Sequence, residues 1–173
     1  MKKLALIIAL GAFGFSASAQ NSDEKKTAAT TLSVGVEAGL PMGTFGDVSS
    51  FGIGGSLKAA IPAGPGAVTV SAGYMNFSGK DFTVGSTTFK ASSTYFIPLK
   101  AGYRLNLGEG GFNIEPQLGY SVGKSGGGGF TYAGNIGYMI NNQFDIAARY
   151  EGVSKDGSSL SFIGLRVAYS FGL

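Results

Sequence analysis

The segment Ser159-Leu160-Ser161-Phe162-Ile163-Gly164-Leu165-Arg166-Val167-Ala168-Tyr169-Ser170-Phe171, followed only by Gly172-Leu173, decides how the rest of the chain is read. Its side chains alternate. Ile163, Leu165, Val167, Tyr169 and Phe171 fall on one face, and Gly164, Arg166, Ala168 and Ser170 on the other, which is the period of a β-strand. A soluble protein rarely ends on so long an amphipathic strand with two aromatics at its tip. A membrane-spanning strand, by contrast, needs about 9–11 residues and carries aromatic anchors where it leaves the lipid.

The same period recurs seven times upstream. Leu32, Val34, Val36, Ala38 and Leu40 share a face opposite Ser33, Gly35, Glu37 and Gly39, until Pro41-Met42-Gly43 opens a loop to about Ser50. Phe51 to Ile61 forms the second strand, ended by Pro62-Ala63-Gly64-Pro65-Gly66, and Val68 to Tyr74 the third. A polar segment, Ser78 to Ser93, follows. Tyr95 to Tyr103, Phe112 to Ser121, Phe130 to Ile140 and Phe144 to Glu151 supply the fourth to seventh strands, with a tight turn at Asn141-Asn142. Pro98 and Pro116 each remove a ladder donor but keep the face pattern. The expected fold is all-β, an eight-stranded antiparallel up-and-down transmembrane β-barrel over residues 31–173.

Alternation alone does not say which face points inward, and glycine settles it. The polar face carries Gly35, Gly39, Gly52, Gly54, Gly73, Gly102, Gly119, Gly137 and Gly164. These are too small for a water-facing exterior and suit the narrow interior of an eight-stranded cylinder. The bulky apolar side chains then face outward, where such a band is stable only in lipid. The aromatics agree. With the N-terminus on the periplasmic side, Tyr103, Phe112, Tyr138, Phe144, Tyr169 and Phe171 fall at one depth, and Phe51, Tyr74, Tyr95, Tyr120, Phe130, Tyr132 and Tyr150 at the other. Two girdles at the headgroup levels are what amphipathic rings favour.

The inward face also carries Glu37, Lys58, Lys100, Arg104, Glu115, Asp145, Arg149, Glu151 and Arg166. Either these line an ion-selective pore or they pair into a plug. Their near-balance favours the plug, because buried charges are tolerated when paired. Depth and parity put Glu37 beside Arg166 across the closing seam, and the turn Leu105 to Gly111 suggests a second pair, Glu115 with Lys100.

The run Gly164-x-x-Val167-x-Tyr169-x-Phe171 resembles the C-terminal signal of Gram-negative outer-membrane β-barrels, a glycine followed by alternating hydrophobics and a final aromatic, which the barrel-assembly machinery recognises. Here Gly172-Leu173 follow the aromatic. From about Thr31 onward the chain resembles the small outer-membrane barrel family, the OmpX and OmpA-barrel, porin-like class. The resemblance implies an outer-membrane location, contact with outer-membrane lipid, and help from periplasmic chaperones and the assembly machinery during biogenesis. It also implies a structural or surface-interaction role through extracellular loops, with a narrow passive channel as the alternative. A lipid-modifying enzyme is a weaker alternative, since the barrel enzymes of this size rely on a His with a Ser.

The 173-residue chain contains no cysteine and no histidine, which removes disulfides, thiol or imidazole metal sites and every imidazole triad. No catalytic residue, cofactor or metal site is expected. Thirty glycines with 44% hydrophobic residues exclude a disordered chain. Met1-Lys2-Lys3, the apolar run Leu4 to Phe15 and Ser16-Ala17-Ser18-Ala19 read as a cleavable signal peptide over residues 1–19, with a flexible periplasmic lead-in over 20–30. Its removal takes Lys2 and Lys3 and lowers the net charge from +3 to +1, which gives no argument for nucleic acid. Gly119-Tyr120-Ser121-Val122-Gly123-Lys124-Ser125 is close to a phosphate-binding loop, but its spacing is one residue short and no helix follows. The 78–93 segment is the loop most suited to an extracellular protein partner, because Phe82, Val84 and Phe89 allow a strand ribbon with open edges.

Overall fold

The computed structural model describes residues 29–84, 87–90, 92–108, 110–124, 127–141, 143–155 and 157–172. The expected signal peptide and nearly all of the lead-in lie outside these residues. Eight long strands close into one antiparallel barrel: β1 (Thr31–Met42), β2 (Ser49–Ala63), β3 (Gly66–Gly79), β6 (Thr94–Asn106), β7 (Phe112–Gly123), β8 (Gly128–Ile140), β9 (Phe144–Lys155) and β10 (Ser158–Gly172). Each pairs with its sequence neighbour, and β1 pairs with β10 from Thr31↔Gly172 to Met42↔Ser161. Closure removes every open edge from the cylinder, so all strand N–H and C=O groups can be satisfied without water.

The two ends differ. At one, short turns such as Gly64-Pro65 join the strands, with Gly64 at φ 59°, a left-handed conformation that costs glycine nothing. At the other, β1 and β2 are joined by a short helix, α1 (Thr44–Val48), and β3 and β6 by a hairpin, β4 (Asp81–Val84) with β5 (Thr87–Lys90). The helix was not legible, because five residues are too few to show a helical period. The strand ribbon expected within 78–93 does form, but as a separate two-stranded sheet rather than as a prolongation of its neighbours. The backbone N–H of Lys80 donates to Val48 O (2.9 Å) and its Nζ to Gly46 O (2.5 Å), tying the hairpin base to α1.

Strands β2 and β3 run further than alternation of outward hydrophobics suggests, since Met75 and Phe77 continue β3 inward to Gly79. Pro98 and Pro116 both lie within strands, and each interrupts one ladder. The β3–β6 pairing lapses between Ala72↔Leu99 and Met75↔Phe96, beside Pro98. The β6–β7 pairing lapses between Gly102↔Gln117 and Leu105↔Ile114, beside Pro116. On its other side each proline stays in register, Pro98 with Ser121 and Pro116 with Gly134. A missing N–H disturbs only the neighbour it would have bonded.

Outward side chains such as Val36, Leu99, Leu118 and Ile136 are at least half uncovered by protein, whereas the inward face is almost entirely closed. Polar residues fill most of the inside of this molecule and apolar ones its outside, the inverse of a water-soluble protein.

Candidate functional site: the barrel interior

Period-two alternation on eight strands sends the nine inward charges to one axis. Lys58 Nζ donates to Glu115 Oε2 at 2.8 Å and lies 3.7 Å from Asp145 Oδ2. Arg104 bridges the same two acids, at 3.4 Å to Glu115 and 3.1 Å to Asp145. Asp145 also takes Arg166 Nη1 at 3.2 Å, and Arg166 Nε lies 3.6 Å from Glu37. Glu37 accepts from Arg149 Nη1 at 2.7 Å, Arg149 reaches Glu151 at 3.3 Å, and Glu151 holds Lys100. All nine charges therefore belong to one connected network, and all nine are buried.

Neutral groups supply the rest of the shell. Thr69 on β3 donates to Glu115 Oε1 (2.8 Å), as does Gln117 (2.6 Å). Asn135 on β8 donates to the Glu115 backbone carbonyl (2.8 Å) and accepts from Arg149 Nε (2.8 Å). With these two strands included, every wall strand contributes to the network. Arg166 gives further bonds to Ser56 and Ser33, at 2.9 and 3.1 Å. Its guanidinium fits because β1 presents Gly35, where a Cβ would stand 3.0 Å from Arg166 Nε and 2.8 Å from Ala168 Cβ. The gap left beside Glu37, Arg149 and Arg166 is too small to admit a water molecule.

The sequence placed these nine residues on the inner face but did not give their partners. Glu37 does stand opposite Arg166 in the β1–β10 register, yet the nearer partner of Glu37 is Arg149. The expected Glu115–Lys100 pair does not form. Lys100 stands opposite Gly119 and binds Glu151, while Glu115 binds Lys58 and Arg104. Long side chains cross the lumen to strands that are not neighbours in the ladder, so adjacency in the sheet does not select the pair.

Above the charges, at the end that carries α1, the filling changes to apolar. Phe45 of α1 tucks inward against Met75, Phe77 and Phe162, all nearly or fully buried, with Phe96 and Leu160 packed against them. The Phe45 and Phe77 rings meet edge to face at 5.0 Å, and Phe77 lies 5.1 Å from Phe162. Gly52 makes room for this cluster, since a Cβ there would come within 2.4 Å of the Phe77 ring. Parity had already turned Phe77, Phe96 and Phe162 inward. In the sequence they do not stand out as a group, because an apolar lining runs against the polar interior expected of such a barrel.

On the outer wall, Phe112 packs on Tyr138 at 4.8 Å, Phe144 on Tyr169 at 5.2 Å and Tyr169 on Phe171 at 4.8 Å, all toward the short-turn end. Tyr103 at that end donates to Ala63 O at 2.7 Å. Toward the other end Tyr74 stacks on Tyr95 at 5.7 Å, and Tyr132 lies 6.5 Å from Phe130 and 6.4 Å from Tyr150. Phe51 and Tyr120 are exposed at this level. In the terminal motif, Gly164 faces inward near Phe162, and Val167, Tyr169 and Phe171 face outward. Of the loop that resembles a phosphate cradle, Gly119 to Gly123 lies within β7, where the ladder engages its backbone, and Ser125 lies outside the described residues.

Residues 7–171 match the family model described as the outer membrane protein beta-barrel domain. The chain belongs to that family. Among solved members of this architecture, it superposes on Ail, the attachment invasion locus protein of Yersinia pestis, with a TM-score of 0.58 and 16% identity, covering 82% of this chain and 97% of Ail. The N-terminal β-barrel domain of Pseudomonas aeruginosa OprF gives 0.59 and 13%, covering 82% and 97%. Neisserial surface protein A gives 0.52 and 14%, covering 84% and 98%. At these identities the likeness concerns the fold. No curated protein matches the sequence. Membership of the outer-membrane family assigns the exposed apolar wall to lipid.

Proposed function

We propose that this outer-membrane barrel is a non-enzymatic surface protein of a Gram-negative envelope, with a structural or adhesive role carried by the end that bears α1 and the β4–β5 hairpin. The observation that carries the reading is the filled lumen. A network of nine charges and an aromatic cap occupy the axis that a solute would use, leaving the loop end as the surface available for interaction. Outer-membrane barrels place long loops outside the cell and short turns in the periplasm, which puts α1 and the hairpin outside. A hairpin that pairs only with itself offers two strand edges to an extended partner segment. The structure of Ail with the heparin analogue sucrose octasulfate is a precedent for a ligand on a barrel of this shape. Export through the signal peptide at residues 1–19, and assembly guided by Gly164, Val167, Tyr169 and Phe171, complete the reading.

An epitope tag inserted at Gly85 is expected to react with antibody on intact cells, and one at Asn142 only after the outer membrane is permeabilised. The opposite accessibility would turn the barrel over and remove the surface role.

A further inference from the structure

The aromatic cap closes only part of the mouth. α1 lies over β1, β2 and β10, and on the far side a cavity of about 420 Å³ remains between the ends of β6 to β10, with Gly127 at its edge. That volume falls within the range of small-molecule sites, about 300–1,000 Å³. Its walls are Phe96, Val153 and Leu160, and its polar groups are Ser121, Ser158 and Lys155. The floor is fixed from both sides. Phe96 is held by Phe45 and Phe77, with centroids at 6.1 and 6.2 Å, and Ser121 Oγ accepts from Thr131 at 2.6 Å.

The electrostatics of this cavity are one-sided. Among the described residues Lys155 is the single charge in its lining, and none of the described lining residues is a carboxylate. Among the described residues Lys155 makes no ion pair, unlike every charge in the lumen below. Its ammonium stands over the backbone of Gly127, where a Cβ would lie 3.0 Å from Nζ. The absence of a side chain there leaves the cation beside the cavity opening. An apolar wall with one cation at its rim is complementary to a molecule with an apolar body and one negative end. A free phosphate or a sugar would leave the wall uncovered, and a neutral hydrocarbon would leave the ammonium unused.

We infer that the mouth of the barrel is a binding site for a small amphipathic monocarboxylate, its chain against Phe96, Val153 and Leu160 and its carboxylate on Lys155. The site lies above the sealed lumen, so it captures without conducting, and none of its described lining residues belongs to the hairpin.

The test is titration of the intact barrel in lipid nanodiscs with octanoate, read from the backbone amide signals of Gly127, Gly128 and Gly129, with octanamide as the uncharged control. Saturable shifts are expected with octanoate. Lys155→Gln, an exposed substitution that leaves the strand ladder intact, should weaken binding about tenfold, the worth of one charge-assisted hydrogen bond, and octanamide should bind as weakly to the parent. Leu160→Trp, which fills the cavity, should abolish the shifts while signals of the lower lumen stay in place. Linear, unsaturable shifts would mean partition into lipid and overturn the site. Equal affinity for octanoate and octanamide, or for parent and Lys155→Gln, would overturn the carboxylate assignment.

Discussion

The lower lumen and the mouth of this barrel fill the same cylinder in opposite ways. Below, nine charges pair into one network, and Asp145 alone faces three cations, Lys58, Arg104 and Arg166. Above, Phe45, Met75, Phe77 and Phe162 close the axis by contact area, with no polar atom required. A charge network is strong only while complete, because removing one member strands its partners in a dry site. An apolar cap loses stability in proportion to what is cut away. One barrel therefore contains a region where a second deletion can repair the first and a region where it cannot.

The largest effect is expected at Asp145. Asp145→Ala should cost about 3–5 kcal/mol, the range for breaking a buried pair, measured as the shift in urea unfolding in lipid bilayers. Adding Arg166→Ala should recover part of that loss, since it removes a cation left in excess, and the cycle should show a coupling of roughly 0.5–3 kcal/mol. Strict additivity would mean the network does not act as a unit. Phe77→Ala should cost a similar amount, about 3–5 kcal/mol, but Phe162→Ala added to it should deepen the loss. Repair of one aromatic deletion by the other would erase the contrast between the two regions.

A third perturbation lies on the outer wall. Leu99→Arg or Leu118→Arg, at mid-depth on the lipid face, should cost about 2–4 kcal/mol, whereas Lys155→Glu, exposed at the mouth, should stay within about 0.5 kcal/mol. Equal unfolding midpoints for these substitutions would reverse the assignment of faces.

How much the sequence revealed follows from the range of the forces involved. The wall is set by a two-residue period, which is local, so strands, faces and the inward set of charges were all readable from Thr31 onward. The closing seam was readable too, because Glu37 and Arg166 share depth and parity, and they are register partners. Which charge meets which was not. Lys58 on β2 finds Glu115 on β7, and Lys100 on β6 finds Glu151 on β9, across an interior that no ladder describes. The cap escaped for another reason. Phe45 sits in a five-residue helix whose purpose appears only when it meets Phe77, brought there by a strand that outlasts its outward hydrophobics. Of the six aromatics of residues 20–173 that lie outside the girdles, four form this cap, so the signal was their inward parity or loop position combined with their failure to fit either belt.

The central claim is that the two fillings together seal the barrel, and single-channel recording in planar lipid bilayers tests it most directly. The parent protein should give no steady conductance steps at moderate voltage, because the charge network leaves no continuous water path beneath the mouth. Regular, reproducible steps from the parent barrel, persisting when the hairpin is replaced by a short turn, would contradict the seal and establish the protein as a channel.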